Sequence, residues 1–266
     1  MSQRVLEAAK RPCLGSPYRY VIRLHLHLFA KDLAKKELTL LDVGCGKGDY
    51  PRVFNGFHAT RRYLGGDLNR YDSNWRKVRN ELSGGLVLDY LCLDALHLPF
   101  KEDSFDVILC IAVLEHIKDD GAAVAEIARV LKRGGVVYAW VPSKYSWLLD
   151  FGMHGYHFYS KEGIAKLFQA SNLAIKEIKP TGGFFCLVLT CLINWLRLAI
   201  SAVALAFRIR REARVFLASG VDRCIARWWM IYDRLLKYCV RKDFVMGNRF
   251  PGGYSVILEK RRNGEK

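Results

Sequence analysis

Leu38-Thr39-Leu40-Leu41-Asp42-Val43-Gly44-Cys45-Gly46-Lys47-Gly48-Asp49 is the stretch whose reading decides the fold. Its first six residues are mostly apolar and stop at a glycine, the pattern of a short buried strand rather than a helix. Three glycines then alternate with Cys45 and Lys47 in a GxGxG spacing. Glycines tolerate positive φ and let a ligand approach the backbone closely. The spacing differs from the GxGxxG of dinucleotide sites, and no Gly-Lys-Ser/Thr follows, so a phosphate loop is set aside. Asp42 stands two residues before Gly44, where a carboxylate suits a cationic ligand better than a pyrophosphate.

Working outward, strand and helix signals alternate. A helix over 18–36 leads in. Tyr63–Asp67, Val87–Leu93, Asp106–Ile111, Val136–Val141, Leu173–Ile178 and Gly253–Lys260 read as further strands. Acids open a helix over Asp119–Lys132, and Gly134 is expected to supply its left-handed stop. Ser160 is the expected cap of a helix running to about Asn172. This order predicts an α/β fold: a Rossmann-like, doubly wound, mostly parallel seven-stranded sheet with an antiparallel last strand and a helical insertion before it. The expected organisation is a helical lead-in at 1–37, a core at 38–183, an apolar and basic insertion at 184–250, and the last strand with a basic tail at 251–266. Ligands in such sheets bind beyond the carboxyl ends of the strands.

Asp67 ends its strand 23 residues after Gly44 (67 − 44). That is close to the roughly 20-residue interval at which an acid meets ribose hydroxyls in nucleotide-binding sheets. The alternative is a solvated turn aspartate. Asp94-Ala95 ends the next strand and opens the run DALHLPFKEDSFDVILCIAVLEHIKD at 94–119, followed at 126–142 by EIARVLKRGGVVYAWVP. Together these resemble the class I S-adenosylmethionine-dependent methyltransferases of the Methyltransferase type 11 kind, and most of all the quinone-biosynthesis branch. The resemblance covers about residues 38–180 and 253–260. It implies S-adenosyl-L-methionine as cofactor, with Asp42, Gly44, Cys45, Gly46 and Gly48 around its methionine part. It places Asp67 and Leu68 at the ribose, Asp94 and Ala95 at the adenine, and Cys110 and Ile111 near the reactive methyl.

His116 and His157 are the candidate catalytic side chains, with His154 beside the second. Each fits a hydrogen-bonded structural histidine equally well. Methyl transfer from a sulfonium needs alignment and exclusion of water, and needs a base only when the acceptor is a poorly acidic hydroxyl or a carbon acid. His25 and His27 lie in the lead-in helix without a nearby ligand set and receive no role. The eight cysteines form no CxxC pair, so no metal site and no disulfide framework are expected. Met1–Lys10 carries no apolar core of a signal peptide, which points to the cytoplasm.

The chain has 266 residues and a formal net charge of +16. Such an excess favours anionic partners without choosing among nucleic acid, lipid headgroups and acidic substrates. Residues 184–250 hold 12 Lys+Arg against 4 Asp+Glu, half the excess in a quarter of the length. They open with FFCLVLTCLINWLRLAISAVALAF at 184–207, long enough to span a bilayer. Yet Thr190, Asn194, Arg197 and Ser201 form one polar stripe along it. A last strand that must rejoin the sheet also argues for a helix lying in the interface or a re-entrant hairpin. Downstream, Val221, Ile225, Trp228, Tyr232, Leu235 and Cys239 recur at helical spacing among Arg223, Arg227, Arg234, Lys237 and Arg241. That pattern fits an anionic membrane surface, a cap over the active site or a dimer contact.

The expectation is a methyltransferase acting at O or C of a small or lipid-linked acceptor, peripheral on the inner face of the membrane. The rivals are an RNA methyltransferase and a cofactor-binding module without catalysis. The first lacks the Asn/Asp-Pro-Pro-Tyr motif, since Ile111-Ala112-Val113 stands at its place; cofactor titration separates the second.

Overall fold

The computed structural model describes residues 17–33, 37–54, 60–82, 86–149, 155–206 and 229–261. Helix α1 spans Pro17–Leu33 and strand β1 Leu38–Val43; α2 is Pro51–Phe54, β2 Thr60–Asp67 and α3 Asp72–Glu81. Then come β3 (Val87–Cys92), β4 (Phe105–Ile111), α4 (Asp120–Val130), β5 (Leu131–Pro142), α5 (Lys161–Gln169) and β6 (Leu173–Thr181). Two helices, α6 (Phe184–Ala206) and α7 (Trp229–Val245), precede β7 (Gly253–Lys260). The strands form one seven-stranded sheet in the order β3-β2-β1-β4-β5-β7-β6. The pairings from β3 through β5 are parallel, and β7 runs antiparallel to both its neighbours. The expected fold class is therefore the observed one.

Each face of the sheet is covered because alternate strand residues are apolar on both sides. One face packs Leu41, Val43 and Ile108 against Val124, Ile127 and Phe168 of α4 and α5. The other packs Leu40, Tyr63, Val107 and Tyr138 against Ile22, Leu26 and Phe29 of α1 and Trp75 of α3. Ser160 caps α5 as expected, accepting from the Gly163 amide at 3.1 Å.

Two expectations are corrected. Helix α4 ends at Val130 with an extended Leu131, so Gly134 is not its cap. Gly134, at φ +71°, lies inside β5, where the β4–β5 register slips between Phe105 and Val107. The glycine accommodates a bulge in a strand. Second, Leu235 faces outward, and Tyr232, Leu236 and Cys239 form the inward stripe of α7. In keeping with the reading that 184–207 is not a simple span, no helix among the described residues is long and apolar enough to cross a membrane. Val221, Ile225, Trp228, Arg223 and Arg227 lie outside the described residues.

Helices α6 and α7 pack on the N-terminal part of α1, through Cys186, Leu189, Ile193, Tyr232, Leu236 and Cys239 against Tyr18, Tyr20 and Val21. Asp243 of α7 ties the two helices together. It is buried, and its carboxylate accepts the amides of Gly183, Phe185 and Cys186 at 2.8–2.9 Å. The first turn of α6 is thus capped from another helix, meeting amides that α6 cannot satisfy itself.

Candidate active site

The carboxyl ends of β1, β2, β3 and β4 converge on the glycine loop. The loop is tied to the next strand by its backbone: the Gly44 and Cys45 amides both donate to the Gly66 carbonyl, at 2.7 and 3.0 Å. All three loop glycines have positive φ, a conformation that costs L-residues roughly 1–2 kcal/mol. Their surroundings differ. A Cβ at Gly44 would stand 2.2 Å from the Val113 side chain, and one at Gly48 would press on Val78 and Trp75. At Gly46 it would meet nothing within 4 Å. Gly44 and Gly48 are needed for packing against the protein. Gly46 borders open space, a cradle that a side chain would fill.

Asp67 closes that cradle. Its carboxylate accepts the Gly46 amide at 2.9 Å and, through the other oxygen, the Asn69 amide at 2.9 Å. Each oxygen keeps a lone pair for an incoming hydroxyl. Leu68, next along, exposes 70% of its surface, an apolar plate beside the acid. Asp94 is exposed at the end of β3, with Oδ1 accepting from the Leu96 amide at 2.9 Å and His97 3.8 Å from Oδ2. Ala95 is half-buried beside it. The tips of β2 and β3 are joined by the Leu93 amide donating to the Asp67 carbonyl.

The structure puts other predicted residues beneath the cradle. Asp42 is 1% exposed and accepts from the Tyr63 hydroxyl at 2.6 Å. Burial is the main cause that pushes its carboxyl up to about 7. The Tyr63 hydrogen bond opposes the rise, and the negative charges of Asp67 and Asp49 add to it. Asp42 therefore lies under the loop rather than on its open side. Cys45 likewise turns its side chain down, among Gly65 and Trp75, and burial raises its thiol pKa. Cys110 and Ile111 belong to the two core layers, so neither lines open space as expected. The chain reaches the cradle two residues later. Ala112 takes φ +58°, unusual for a residue with a side chain, and Val113 packs under Gly44.

His116 sits in a short 3₁₀ turn, Leu114–His116, with Nε2 4.0 Å from the carboxylate of buried Glu115. The segment 155–160 lies along the same edge: the Tyr156 amide donates to the Glu115 carbonyl, and the Tyr159 hydroxyl donates to Asp120. His157 places Nε2 3.1 Å from the Lys118 carbonyl, so its ring fastens this segment to the loop after β4. His154 lies outside the described residues.

Sequence reasoning missed Trp75 and Tyr90. The Trp75 indole donates to the Gly46 carbonyl at 3.0 Å, and its ring stacks on Tyr90, 5.4 Å between centroids. The signal was present: in DSNWRKVRNE, Trp75 and Val78 are the two apolar residues, spaced to share one face of a helix.

Comparison with known proteins places this geometry. Residues 41–139 match the model of the methyltransferase domain family. The chain is 33% identical over 135 residues to the 24-methylenesterol C-methyltransferase 2 of Arabidopsis thaliana, covering 49% of this chain and 37% of that protein. It is 32% identical over 116 residues to the phthiotriol/phenolphthiotriol dimycocerosates methyltransferase 1 of Mycobacterium ulcerans, covering 42% of each. The matched stretches span 34–57% of the length of such curated relatives. Among solved structures, the [4+2]-cyclase SpnF superposes with a TM-score of 0.57 at 18% identity, covering 89% of this chain and 80% of that one. That likeness concerns the fold alone, since one architecture serves different reactions.

Proposed function

We propose that this protein, whose residues 41–139 form a class I S-adenosylmethionine-dependent methyltransferase domain, transfers a methyl group to oxygen or carbon of a small or lipid-linked acceptor at a membrane surface. The observation that carries the first half is the open cradle at Gly46, closed by Asp67 and flanked by exposed Leu68 and Asp94. S-adenosylmethionine supplies a methyl group already activated on a sulfonium. Asp67 would hold its ribose and Asp94 its adenine amino group, with the glycine loop bordering its methionine part. The Asp67 carboxylate at the open cradle of a strongly basic protein favours a cationic ligand there. His116, at the edge after β4, would meet the acceptor, and His157 would hold the segment that borders it.

The lipid half rests on α6. Cys186, Leu189, Thr190 and Ile193 face the protein, with the Thr190 hydroxyl donating to the Cys186 carbonyl. Phe184, Val188, Leu192, Trp195, Leu196 and Leu198 face outward, Leu192 at 62% exposure. The polar stripe begins on the inner side with Thr190, and the described outward side chains are apolar; the side chains of Arg197 and Ser201 lie outside the described residues. A face of that kind is rare on a protein that meets only water. Arg234, Arg241 and Lys242 are exposed on α7 beside it in the fold, and each cation near an anionic surface adds about 1 kcal/mol. Two relatives named for sterol and dimycocerosate methylation are in keeping with a lipid acceptor.

The test uses the purified full chain with methyl-tritiated S-adenosylmethionine and a lipid extract. Label should appear in the organic phase, and vesicles with phosphatidylserine should sediment more protein than phosphatidylcholine vesicles, with part released by salt. Label confined to water-soluble products with no vesicle binding refutes the lipid reading; absence of cofactor binding refutes the whole.

A further inference from the structure

A second concavity lies away from the glycine loop. A groove of about 810 Å³ runs between α1, the end of β6 and α7, within the roughly 300–1,000 Å³ of ordinary ligand sites. Residues one helical turn apart on α1, Tyr20, Leu24 and Leu28, form one wall with Val21 and His25. Val240 and Phe244 of α7 form the other, above Pro180. The walls are hydrocarbon, and the charged groups along the groove are Lys179, Lys237 and Arg241. Lys179 pairs with Glu177 at 2.7 Å and Lys237 with Asp233 at 2.6 Å, whereas Arg241 has no ion pair among the described residues. His25 places Nδ1 3.0 Å from the Ser255 hydroxyl, and burial holds its pKa down at about 4, so it adds no charge near neutral pH. The sum is an apolar slot with one uncompensated cation.

We propose that this groove binds a long-chain carboxylate, with Arg241 gripping the headgroup beside Lys237 and the chain lying along Leu24, Leu28, Val240 and Phe244. One excess positive charge matches one monoanion, and a guanidinium meets a carboxylate with two parallel hydrogen bonds. The site is separate from the cofactor cradle. Arg19 and Arg23, on the other flank of α1, reach toward Asp49 after the glycine loop at 3.6 and 3.8 Å. Helix α1 is the wall between the two sites. The inference does not depend on the identity of the methyl acceptor.

The test is equilibrium binding of tritiated oleate to the full chain below micelle-forming concentration, with oleyl alcohol and acetate as competitors and S-adenosylhomocysteine titration as a control. Oleate should bind one to one, and oleyl alcohol should compete about tenfold more weakly or worse, as expected for the loss of a charged hydrogen bond. Acetate should not compete. Arg241→Gln should weaken oleate by a similar factor, and Val240→Trp should block it, both with cofactor affinity unchanged. Arg241 is on the surface, so its variant carries the test if Val240→Trp fails to fold. Absence of oleate binding in protein that binds S-adenosylhomocysteine overturns the proposal. So do equal affinities for oleate and oleyl alcohol, or an Arg241→Gln variant that binds oleate as the wild type does.

Discussion

Gly46→Ala should impair cofactor binding while barely disturbing the fold, and Gly44→Ala should do the reverse. Both positions have positive φ, +51° at Gly46 and +69° at Gly44, so alanine costs each about 1–2 kcal/mol of backbone strain. At Gly46 nothing is added to that cost, because the new methyl meets no protein atom within 4 Å. The melting temperature should fall by only about 2–8 °C, taking roughly 2–4 °C per kcal/mol for a domain of this size. At Gly44 the methyl would arrive 2.2 Å from the buried side of Val113, and overpacking of that kind adds about 1–3 kcal/mol more. The methyl at Gly46 projects into the space assigned to the cofactor, so the same overpacking cost appears there as lost affinity, about 5- to 150-fold. Calorimetric titration with S-adenosylhomocysteine measures the affinity, and thermal unfolding the stability. A Gly46→Ala protein with wild-type affinity would show that the cofactor does not lie over this glycine, and the geometric argument for the cradle would fall.

Asp67→Ala should weaken S-adenosylhomocysteine by about 1.5–3 kcal/mol in the same titration, since it removes a charged acceptor from the ribose site, and the Gly46 amide loses its partner as well. Asp243→Ala should cost about 2 kcal/mol or more in urea unfolding, because three amides at the start of α6 lose their acceptor; cofactor affinity should hold, and unchanged stability would dismiss the interhelical cap. The pH dependence follows from Asp42. Its folded pKa, about 7, is raised above the unfolded value of roughly 3.9, so the folded state binds the extra proton and stability declines as pH rises from about 4 to 7. Asp42→Asn should flatten that decline in urea titrations run across the range, and an identical slope in the variant would assign the decline to other groups.

The sequence by itself determined the sheet. Strands announce themselves through local composition, and the limits expected for β7, Gly253–Lys260, are those observed. It also determined the loop and its acid, since the turn after β1 requires glycine and Asp67 follows at a fixed distance along the chain. The tertiary structure alone decided which loop residues border open space and which are covered. Asp42 and Cys110 stand in the linear motif beside the exposed residues, and only the fold shows that Tyr63 covers the first and one core layer the second. It alone decided the sense of α6. Periodicity gave a polar stripe and an apolar one without saying which faced the protein, and packing against Tyr18, Tyr20 and Val21 turned Thr190 inward. It alone supplied the α6 cap, because Asp243 stands 60 residues from Gly183, and it alone joined His25 to Ser255 across 230 residues. Backbone propensity and side-chain period are set within a few residues and can be read in order. Burial, capping from another helix and long-range hydrogen bonds depend on which segments meet in space, and no local pattern encodes that.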